Sequence, residues 1–375
     1  MKKVITCRVF LILAIVAALL GAVVYRTYPH FLSETHSSLE SKSSRLLLSN
    51  EDQRFALVSP DKSVRLPQDF AIHPEYQHEW WHVFANVRDA KGEEYGVQWN
   101  YFRVANDDRQ DTGWHNSQLF ISHVVISNTQ QSWKDQRIAR GGIGQADMTQ
   151  QPFRLWIDNW QWRSLGSGPL PSQLMIETDN FGASLQLVAY GPYVLPGENG
   201  YQSRDDHSSL ASYSIYAPFI SVKGKLQLDP YSDAVSVVGE AWVSKVWGSG
   251  LLGEGQQGWD WFVLHLDNSR TLTVIRHRYR NQRPYLYGTL AMREGRTVVL
   301  SDSEINISSQ SASTIGGDKV LPLQWNISVP SQNIHITTKA LNPNLWLPFA
   351  LPYWEGPIHA TGTHEARGFM QLTGY

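Results

Sequence analysis

The stretch His73–Val104, HPEYQHEWWHVFANVRDAKGEEYGVQWNYFRV, decides the fold that this sequence predicts. On both of its arms apolar side chains recur at every second position, which is the spacing of a β-strand with a buried face. Between the arms, Asp89 to Gly92 supplies turn residues, and Gly92 is free to take a positive φ. The stretch therefore predicts a β-hairpin. Its alternating residues are Trp81, Val83, Ala85 and Val87 on the first arm, and Tyr95, Val97, Trp99 and Tyr101 on the second.

The opposite face of the first arm is also rich in large side chains. Trp80, His82 and Phe84 alternate there, before Asn86 and Arg88 further along. A strand with aromatic side chains on both faces is typical of the wall of a barrel or sandwich. We therefore expect a partner outside this wall and a cavity inside it.

Composition limits the class of protein and of partner. At 375 residues the chain is long enough for two ordinary domains or one large β domain. Its formal net charge of −2 leaves no basic excess to hold phosphates, so we expect no nucleic-acid partner. The 15 tryptophans lie in strand-like runs, which favours an all-β core with an aromatic interior or interface.

Residues 1–25 carry the features of a targeting segment. Basic residues precede an uncharged apolar run over 9–24, and Arg26 follows it. The run lies between the ~7–15 residues of a signal-peptide core and the ~20 of a spanning helix. We expect an uncleaved signal anchor rather than a cleaved signal peptide, because no good small-residue cleavage site follows. A buried N-terminal helix is the third interpretation.

The charges around the apolar run also predict a location. Basic residues bias the N-terminus to the cytoplasm, so the body should lie on the periplasmic side of the bacterial inner membrane, anchored or secreted to the periplasm. Residues 26–64 are rich in serine and isolated charges, which predicts a flexible tether. An ordered arm on the first sheet is the alternative for this segment.

Several common kinds of site are missing from the sequence. Cys7 is the only cysteine, so neither a disulfide within the chain nor a Cys-ligated zinc site is expected. His78 and His82 would lie ~13 Å apart on a strand, at ~3.3 Å per residue, which is too far for one metal ion. No phosphate loop, dinucleotide motif or Gly-x-Ser-x-Gly motif occurs, so we predict no cofactor and no serine-esterase nucleophile.

From Val64 onward, short alternating runs follow one another with no convincing long amphipathic helix between them. This pattern is typical of antiparallel sheets with meander connections. The run Gly258–Arg278 repeats the order of the first hairpin: an aromatic-led strand, a polar turn and a return strand that ends in arginine. We therefore predict an internal duplication with barrels at 65–215 and 216–375, the second opening with Val235–Trp247.

A set of motifs along the chain resembles one family. In order they are His73-Pro74-Glu75-Tyr76, Glu79-Trp80-Trp81, Phe102-Arg103, Ser122-His123, Trp156, Gly200-Tyr201, Gly239-Glu240-Ala241-Trp242, Gly258-Trp259-Asp260-Trp261-Phe262 and Tyr353-Trp354-Glu355-Gly356. Together they resemble the AttH-type lipocalin-like proteins, often described as predicted secreted hydrolases and grouped with carotenoid 1,2-hydratase. The resemblance covers roughly residues 65–375 and implies an all-β fold of two tandem lipocalin-like antiparallel β-barrels, here behind an N-terminal anchor or signal helix.

Two motifs depart from the family. In one, the third residue of the Trp-Trp-Tyr motif is His82 here. In the other, many relatives follow Ala-Trp with a Met/Leu-Asp-x-Glu-Trp motif, whereas this chain has Val243-Ser244-Lys245-Val246-Trp247. Both carboxylates are missing, although both tryptophans remain. If those carboxylates carry chemistry in relatives, this chain has lost it or moved it.

Three residues are candidates for catalysis. Asp260 lies between Trp259 and Trp261; in a dry pocket its protonated carboxyl would donate a proton to an alkene, and aromatic rings would stabilise the cation. The alternative is an Asp260 on the other face, ion-paired with an arginine. His123 is either a core histidine or a polar group or base in the pocket. Glu79 is a weaker candidate, which we expect to pair with Arg103 at the mouth of the barrel.

Aromatic and arginine side chains on these strands are the ligand-binding candidates. They are Trp80, Trp81, His82, Trp99, Tyr101, Arg103, Trp242, Trp247, Trp259, Trp261, Arg276, Tyr353 and Trp354. Barrels of about eight strands hold one small apolar ligand, which favours binding of a lipid or isoprenoid-like molecule. The resemblance further implies an ABC transporter permease as a partner. The alternatives are a hydratase or hydrolase of a carotenoid- or lipid-like substrate, and a scaffold whose aromatics only fill two cores.

Overall fold

Nearly all regular structure in the described residues is β, as the sequence predicts. The computed structural model describes residues 55–107, 112–205, 210–316 and 319–375. Between the strands there are short 3-10 turns at Gln68–Phe70, Gly113–His115, Asp302–Glu304 and Pro330–Gln332. The strands of the first sheet are β1 (His78–Asp89), β2 (Glu94–Ala105), β3 (Gln118–Ser127), β4 (Ser132–Arg140), β5 (Ala146–Gln150), β6 (Phe153–Ile157), β7 (Trp160–Ser164), β8 (Ser172–Glu177), β9 (Gly182–Ala189), β10 (Tyr201–Ser203), β11 (Ala211–Gln227) and β12 (Val235–Gly248). Those of the second are β13 (Gln256–Asp267), β14 (Arg270–Tyr279), β15 (Tyr285–Met292), β16 (Thr297–Leu300), β17 (Asn306–Ile315), β18 (Lys319–Val329), β19 (Ile334–Ala340), β20 (Trp346–Leu347), β21 (Tyr353–Gly362) and β22 (Ala366–Thr373).

The predicted signal anchor at 1–25 and most of the predicted tether lie outside the described residues. Within the part of the chain that is described, no helix has the length and apolar character needed to cross a membrane. The end of the predicted tether, 55–64, packs against the first barrel: Phe55 and Val64 are buried. Ser59 exchanges two hydrogen bonds with the Tyr213 hydroxyl, at 2.9 and 2.7 Å. This part of the segment therefore matches the alternative interpretation, an arm on the first sheet.

The first barrel is one curled, near-closed antiparallel sheet. Its described strands lie in the order β4-β3-β2-β1-β12-β11-β9-β8-β7-β6-β5, and β10 pairs with β11. The predicted hairpin is confirmed as β1 and β2. In its turn Gly92 has φ +85°, and the Asp89 carboxylate accepts the backbone N–H groups of Lys91 and Glu93 at 2.8 and 2.9 Å.

The change from the first to the second sheet lies further along the chain than expected. The predicted boundary at 215/216 falls inside β11. Strand β12, which we expected to open the second barrel, instead pairs with β1 and β11 in the first sheet. Local alternation of side chains predicts that a segment is a strand, but the choice of partner depends on residues far away in the chain.

The second barrel repeats the strand order of the first. Its described strands run β16-β15-β14-β13-β22-β21-β19-β18-β17, with β20 paired to β21. In both sheets the leading hairpin pairs with a strand from the end of that sheet's segment. The register also repeats, because Glu79 lies opposite Arg103 in the first hairpin and Asp260 lies opposite Arg276 in the second. This parallel supports the predicted duplication.

Strand β1 is buried on both of its faces. Trp81 and Val83 belong to the hydrophobic core of the first barrel. On the opposite face, Phe84 packs in a separate cluster with Trp242 and Trp261. This second cluster joins the outer face of the first barrel to the second barrel, so the layer between the barrels is itself a buried core.

The barrels approach each other closely where β2 meets β21. A Cβ atom built on Gly96 would lie 2.6 Å from Cγ of Pro357, closer than real side chains approach. At the same edge, the Glu94 carboxylate lies 2.9 Å from Nε2 of His359 and 2.6 Å from Nη2 of Arg367. The absence of a side chain at residue 96 therefore sets how near the two sheets lie.

We expect Gly96→Val to lower the free energy of unfolding by about 1–3 kcal/mol, because overpacking forces the facing strands apart. Urea unfolding followed by tryptophan fluorescence measures this change. Gly166→Val is the matched control, since a Cβ there would lie 3.5 Å from Pro171, an ordinary contact. Equal losses at the two positions would contradict the close-approach argument.

Candidate functional site

A row of polar side chains crosses the outer face of the first barrel, where the second barrel covers it. The strand register places His123, Asn100, His82, Ser244 and Tyr216 opposite one another on β3, β2, β1, β12 and β11. All of them are at most 3% exposed. Because water is excluded here, each polar atom must bond to the protein, bond to a ligand or remain unsatisfied.

A cavity of about 50 Å³ lies within this layer between the barrels. One water molecule needs roughly 10–15 Å³ on the same measure, so the space holds a few waters or a small polar group. Four of the residues predicted to bind a ligand form part of its walls. They are Trp80, His82, Trp259 and Trp261, and Tyr216 and Tyr287 lie beside them.

Several buried polar atoms in these walls have no hydrogen-bond partner among the described residues. They include Nε1 of Trp80 and Trp261, Nε2 of His82 and Oγ of Ser214. The other ring nitrogen of His82 lies 3.0 Å from Oγ of Ser244. Burial lowers the pKa of His82 to about 3, so its imidazole is neutral at physiological pH.

Glu355 lies beside this layer and is a carboxyl group without a cationic partner among the described residues. It is fully buried, and its oxygens accept amide N–H groups from Gln98 at 3.0 Å, Asn100 at 2.7 Å and Gln371 at 2.6 Å. Burial raises the pKa of Glu355 to about 7, although these hydrogen bonds oppose the shift. A proton therefore binds or leaves this carboxyl near neutral pH.

A hydrogen-bond network extends from Glu355 in two directions. On one side, Asn100 also donates to the Tyr353 hydroxyl at 2.9 Å, and that hydroxyl lies 2.8 Å from Nδ1 of His123. On the other side, Gln371 accepts the indole N–H of Trp259, a residue of the cavity wall, at 2.8 Å. The network thus brings together three residues predicted from the sequence, His123, Tyr353 and Trp259, with a carboxyl that was not predicted.

In the first barrel, two cationic side chains and a backbone N–H group contact the Glu79 carboxylate. Nε of Arg103 and Nζ of Lys245 each lie 2.9 Å from its carboxylate, and the backbone N–H of His73 donates to it at 2.6 Å. Burial alone would raise the pKa of Glu79, but the two cations and His73 outweigh it and hold that pKa well below its usual range. The predicted Glu79–Arg103 pair is confirmed, and a permanently ionised carboxylate is a poor proton donor.

Lys245 stands in the motif that departs from the family. Its ammonium donates to the carbonyl of Asp69 at 2.9 Å and to that of Ala71, and it lies 4.8 and 4.9 Å from the rings of Trp247 and Trp81. Burial lowers the pKa of Lys245 to about 8, while the charge of Glu79 opposes the shift. Lys245 therefore ties the 66–73 segment to the barrel.

The two positions of this motif at which the family resemblance implies carboxylates, Ser244 and Val246, point the other way, toward the second barrel. Ser244 contacts His82, and Val246 forms part of the cavity wall. Both are on β12, at alternate positions, and so share one face of that strand. The carboxylates that this chain lacks would therefore lie in the inter-barrel layer.

Asp260 has neighbours that differ from the dry pocket considered for it. Nε and Nη2 of Arg276 both lie 2.7 Å from its carboxylate, Nε of Arg278 lies 3.3 Å away, and the Tyr375 hydroxyl donates to it at 2.8 Å. Trp259 and Trp261 point to the opposite face, because successive strand residues alternate. The geometry matches the ion-pair interpretation, and the tryptophans contact the first barrel instead.

The other predicted aromatic residues fill cores. Trp81, Trp99, Tyr101 and Trp247 are at most 1% exposed and belong to the core of the first barrel. Trp354 belongs to the core of the second barrel and donates its indole N–H to the carbonyl of Pro343 at 2.8 Å. Trp242 lies in the apolar cluster between the barrels. In these positions they stabilise the fold, and none of them forms part of the cavity wall.

Among the residues in and beside the inter-barrel layer that sequence analysis missed are Glu355, Arg204 and His277. Glu355 stands in the Tyr353-Trp354-Glu355-Gly356 motif, and membership of that motif is the sequence signal that could have identified it. His277 lies between two arginines on β14, and alternation places it on the face opposite theirs. Arg204 follows a short strand after a Gly- and Pro-rich loop, where no periodic pattern indicates its burial.

Metal binding finds no support in the described ranges. They contain no group of three or more His, Cys, Asp or Glu side chains placed to hold an ion. His78 and His82, the spaced pair in the sequence, lie on one face of β1. Nε2 of His78 lies 3.5 Å from Nη2 of Arg204, and Nδ1 of His82 faces Ser244.

Comparison with known proteins gives the same architecture. A sequence profile of the AttH-like family matches residues 57–375. The crystal structure of an AttH from Nitrosomonas europaea has a TM-score of 0.77 and 26% identity, and covers 86% of this chain and 99% of that one. That of kievitone hydratase from Nectria haematococca has a TM-score of 0.62 at 13% identity, covering 87% and 98%, a likeness that shows the fold alone. No curated protein sequence matches significantly. With the lipocalin-like architecture and the family motifs in register, this chain belongs to the AttH-like family.

Proposed function

We propose that this protein binds a small, largely apolar molecule in the cavity between its two barrels. One observation carries the proposal: aromatic walls surround polar atoms that have no partner, among them Nε1 of Trp80 and Trp261 and Nε2 of His82. Most buried polar groups in proteins are hydrogen-bonded, so such a group points to a bound molecule or water. An apolar molecule with one hydrogen-bonding group would cover the rings and satisfy these atoms.

This location differs from the barrel interior that we expected from the sequence. The interior of the first barrel is filled by large rings, including Trp81, Trp99, Trp160 and Trp162, which are fully buried. A ligand there would have to displace them. The inter-barrel cavity of about 50 Å³ is much smaller than the roughly 300–1,000 Å³ of a pocket for a drug-sized molecule. The ligand is therefore small, or only one end of it enters.

The proposal includes a lipid or isoprenoid-like ligand, of which only one end would enter the cavity. The periplasmic location and an ABC-type export partner belong to the same proposal. Both rest on the N-terminal sequence and on the family resemblance.

Gently purified full-length protein is expected to carry a small molecule that native mass spectrometry detects. Ser214→Phe should abolish this mass, because Oγ of Ser214 faces the cavity and a ring there would fill it. Ser221→Phe, on the exposed side of the same strand, is the control and should keep the ligand. Retention by Ser214→Phe, with an unchanged melting temperature, would place the ligand elsewhere. A wild-type protein that carries only water would favour the scaffold interpretation.

A second candidate function, hydration of an apolar alkene, is favoured by Glu355. A protonated Glu355 would give its proton to one alkene carbon, water would add to the other, and a proton from that water would return to the carboxylate. Gln371 connects Glu355 to Trp259 in the cavity wall. We place binding first, because Ser244 and Val246 stand where relatives carry carboxylates, on the strand face that meets the cavity.

The pKa of Glu355 predicts a pH dependence of stability. The folded protein holds a proton up to about pH 7, whereas the unfolded chain releases it near 4.5. The contribution of the protonated Glu355 carboxyl to the free energy of unfolding is complete below pH 4.5 and is lost as the pH rises through about 7. Glu355→Gln should remove this loss, so that wild type weakens relative to the variant by up to about 3 kcal/mol between pH 5 and 8. Urea unfolding measures it, with Glu75→Gln as an exposed control; identical pH slopes in wild type and Glu355→Gln would contradict the assignment.

If the second function holds, turnover depends on the same carboxyl. Incorporation of ¹⁸O from labelled water into the copurified ligand would measure hydration. Glu355→Gln should lower this rate by about 100-fold or more, since general acid catalysis typically contributes 10²–10⁴, while ligand binding stays within tenfold. Equal rates in wild type and variant would remove Glu355 as the acid and leave binding as the function.

A further inference from the structure

Arg204 is a buried cation without a counter-charge among the described residues. It is 6% exposed and lies in the cavity wall between the barrels. Its Nη1 donates to the carbonyls of Gly250 and Leu251 at 3.2 and 3.1 Å, and its Nη2 lies 3.5 Å from Nε2 of His78. All of these partners are uncharged, since burial holds the pKa of His78 well below its usual range.

This arrangement contrasts with that of three other buried or partly buried cations. Arg103 and Lys245 both face Glu79, and Arg276 faces Asp260. Burial of a charge is costly unless an opposite charge accompanies it. The nearby phenol of Tyr287 does not supply one, because burial raises its pKa above the usual range and keeps it neutral. A negative charge is therefore missing beside Arg204 in the described residues.

The protonation of His277 adds a hydrogen-bond donor to the same wall. The backbone N–H of Gly253 donates to Oε1 of Gln256 at 2.9 Å, which fixes the orientation of that amide. Nε2 of Gln256 therefore donates to Nδ1 of His277 at 2.9 Å. A neutral imidazole that accepts at Nδ1 carries its proton at Nε2. This Nε2–H is buried in the cavity wall and has no partner among the described residues.

Two further orphan groups in the wall are also donors. The indole N–H groups of Trp80 and Trp261 can only donate, and neither has a partner in the described ranges. The cavity thus presents a cation and several N–H groups to whatever occupies it. Aromatic rings form much of the remaining wall, including Trp259 and Tyr216.

We infer that this cavity binds the carboxylate of an otherwise apolar molecule, with Arg204 as its charge partner and His277 as a hydrogen-bond donor. The inference rests on the proposed function and names the class of its ligand. A carboxylate has two acceptor oxygens and matches a guanidinium, which donates in a planar fork. The cavity of about 50 Å³ has room for such a group. Aromatic walls would cover the apolar part next to it.

The test compares three probes by isothermal titration calorimetry with full-length protein: benzoate, its neutral analogue benzamide, and acetate. We expect benzoate to bind at least tenfold more tightly than either of the others. Arg204→Met should abolish this preference, and Arg204→Lys, which keeps the charge, should retain part of it. Arg88→Met, at an exposed position on β1, is the matched control and should bind as wild type does.

Thermal unfolding without ligand separates binding from a structural role. Arg204→Met should melt near the wild-type temperature, because the gain from removing an unpaired buried charge offsets the loss of its hydrogen bonds to the carbonyls of Gly250 and Leu251. A lower melting temperature, together with an unchanged benzoate preference, would overturn the inference and make Arg204 a structural residue.

Two other results would also overturn the inference, and the first of them would leave the proposed function intact. Benzamide that binds as tightly as benzoate would mean a cavity for neutral molecules. Acetate that binds as tightly as benzoate would mean a site for small free anions. Absence of binding by all three probes would overturn the inference as well, and native mass spectrometry of Ser214→Phe would then test the proposed function separately.

Discussion

The burial of strand β1 on both faces is the constraint on which the rest of the structure depends. One face contributes Trp81 and its neighbours to the core of the first barrel, and the other contributes Phe84 to the layer between the barrels. This arrangement excludes water from two layers at once. Any polar group in the second layer must then be paired within the protein, paired with a ligand or left unsatisfied. The cavity lies where pairing within the described protein is incomplete.

Three buried carboxyl groups show how surroundings decide their chemistry. Glu79 faces Arg103 and Lys245, so its charged form is strongly favoured. Asp260 is likewise paired with arginine. Among the described residues Glu355 has only amide donors, which stabilise the anion less than a cation does, and burial therefore raises its pKa to about 7. Glu355 therefore exchanges a proton near neutral pH, and Gln371 links it to Trp259 in the cavity wall.

The candidate site lies in the layer between the two duplicated barrels. The first barrel fills its interior with large rings and the second mainly with aliphatic side chains, and the site is formed where two outer faces meet. Trp80 and His82 come from the first barrel, whereas Trp259 and His277 come from the second. Such a site needs both halves of the chain. A change in the spacing of the barrels, such as a side chain at Gly96, would therefore alter the cavity without touching a residue of its walls.

The sequence by itself determined the first hairpin, the all-β class and the Glu79–Arg103 pair, because these follow from alternation within a few dozen residues and from one turn. The tertiary structure was needed to show that β12 completes the first barrel, that Asp260 lies in an ion pair rather than a dry pocket, and that Glu355 has no cationic partner among the described residues. Asn100 and Glu355 are 255 residues apart in the chain and share a hydrogen bond. No local pattern encodes such contacts, since burial and pKa depend on which distant strands come to face each other.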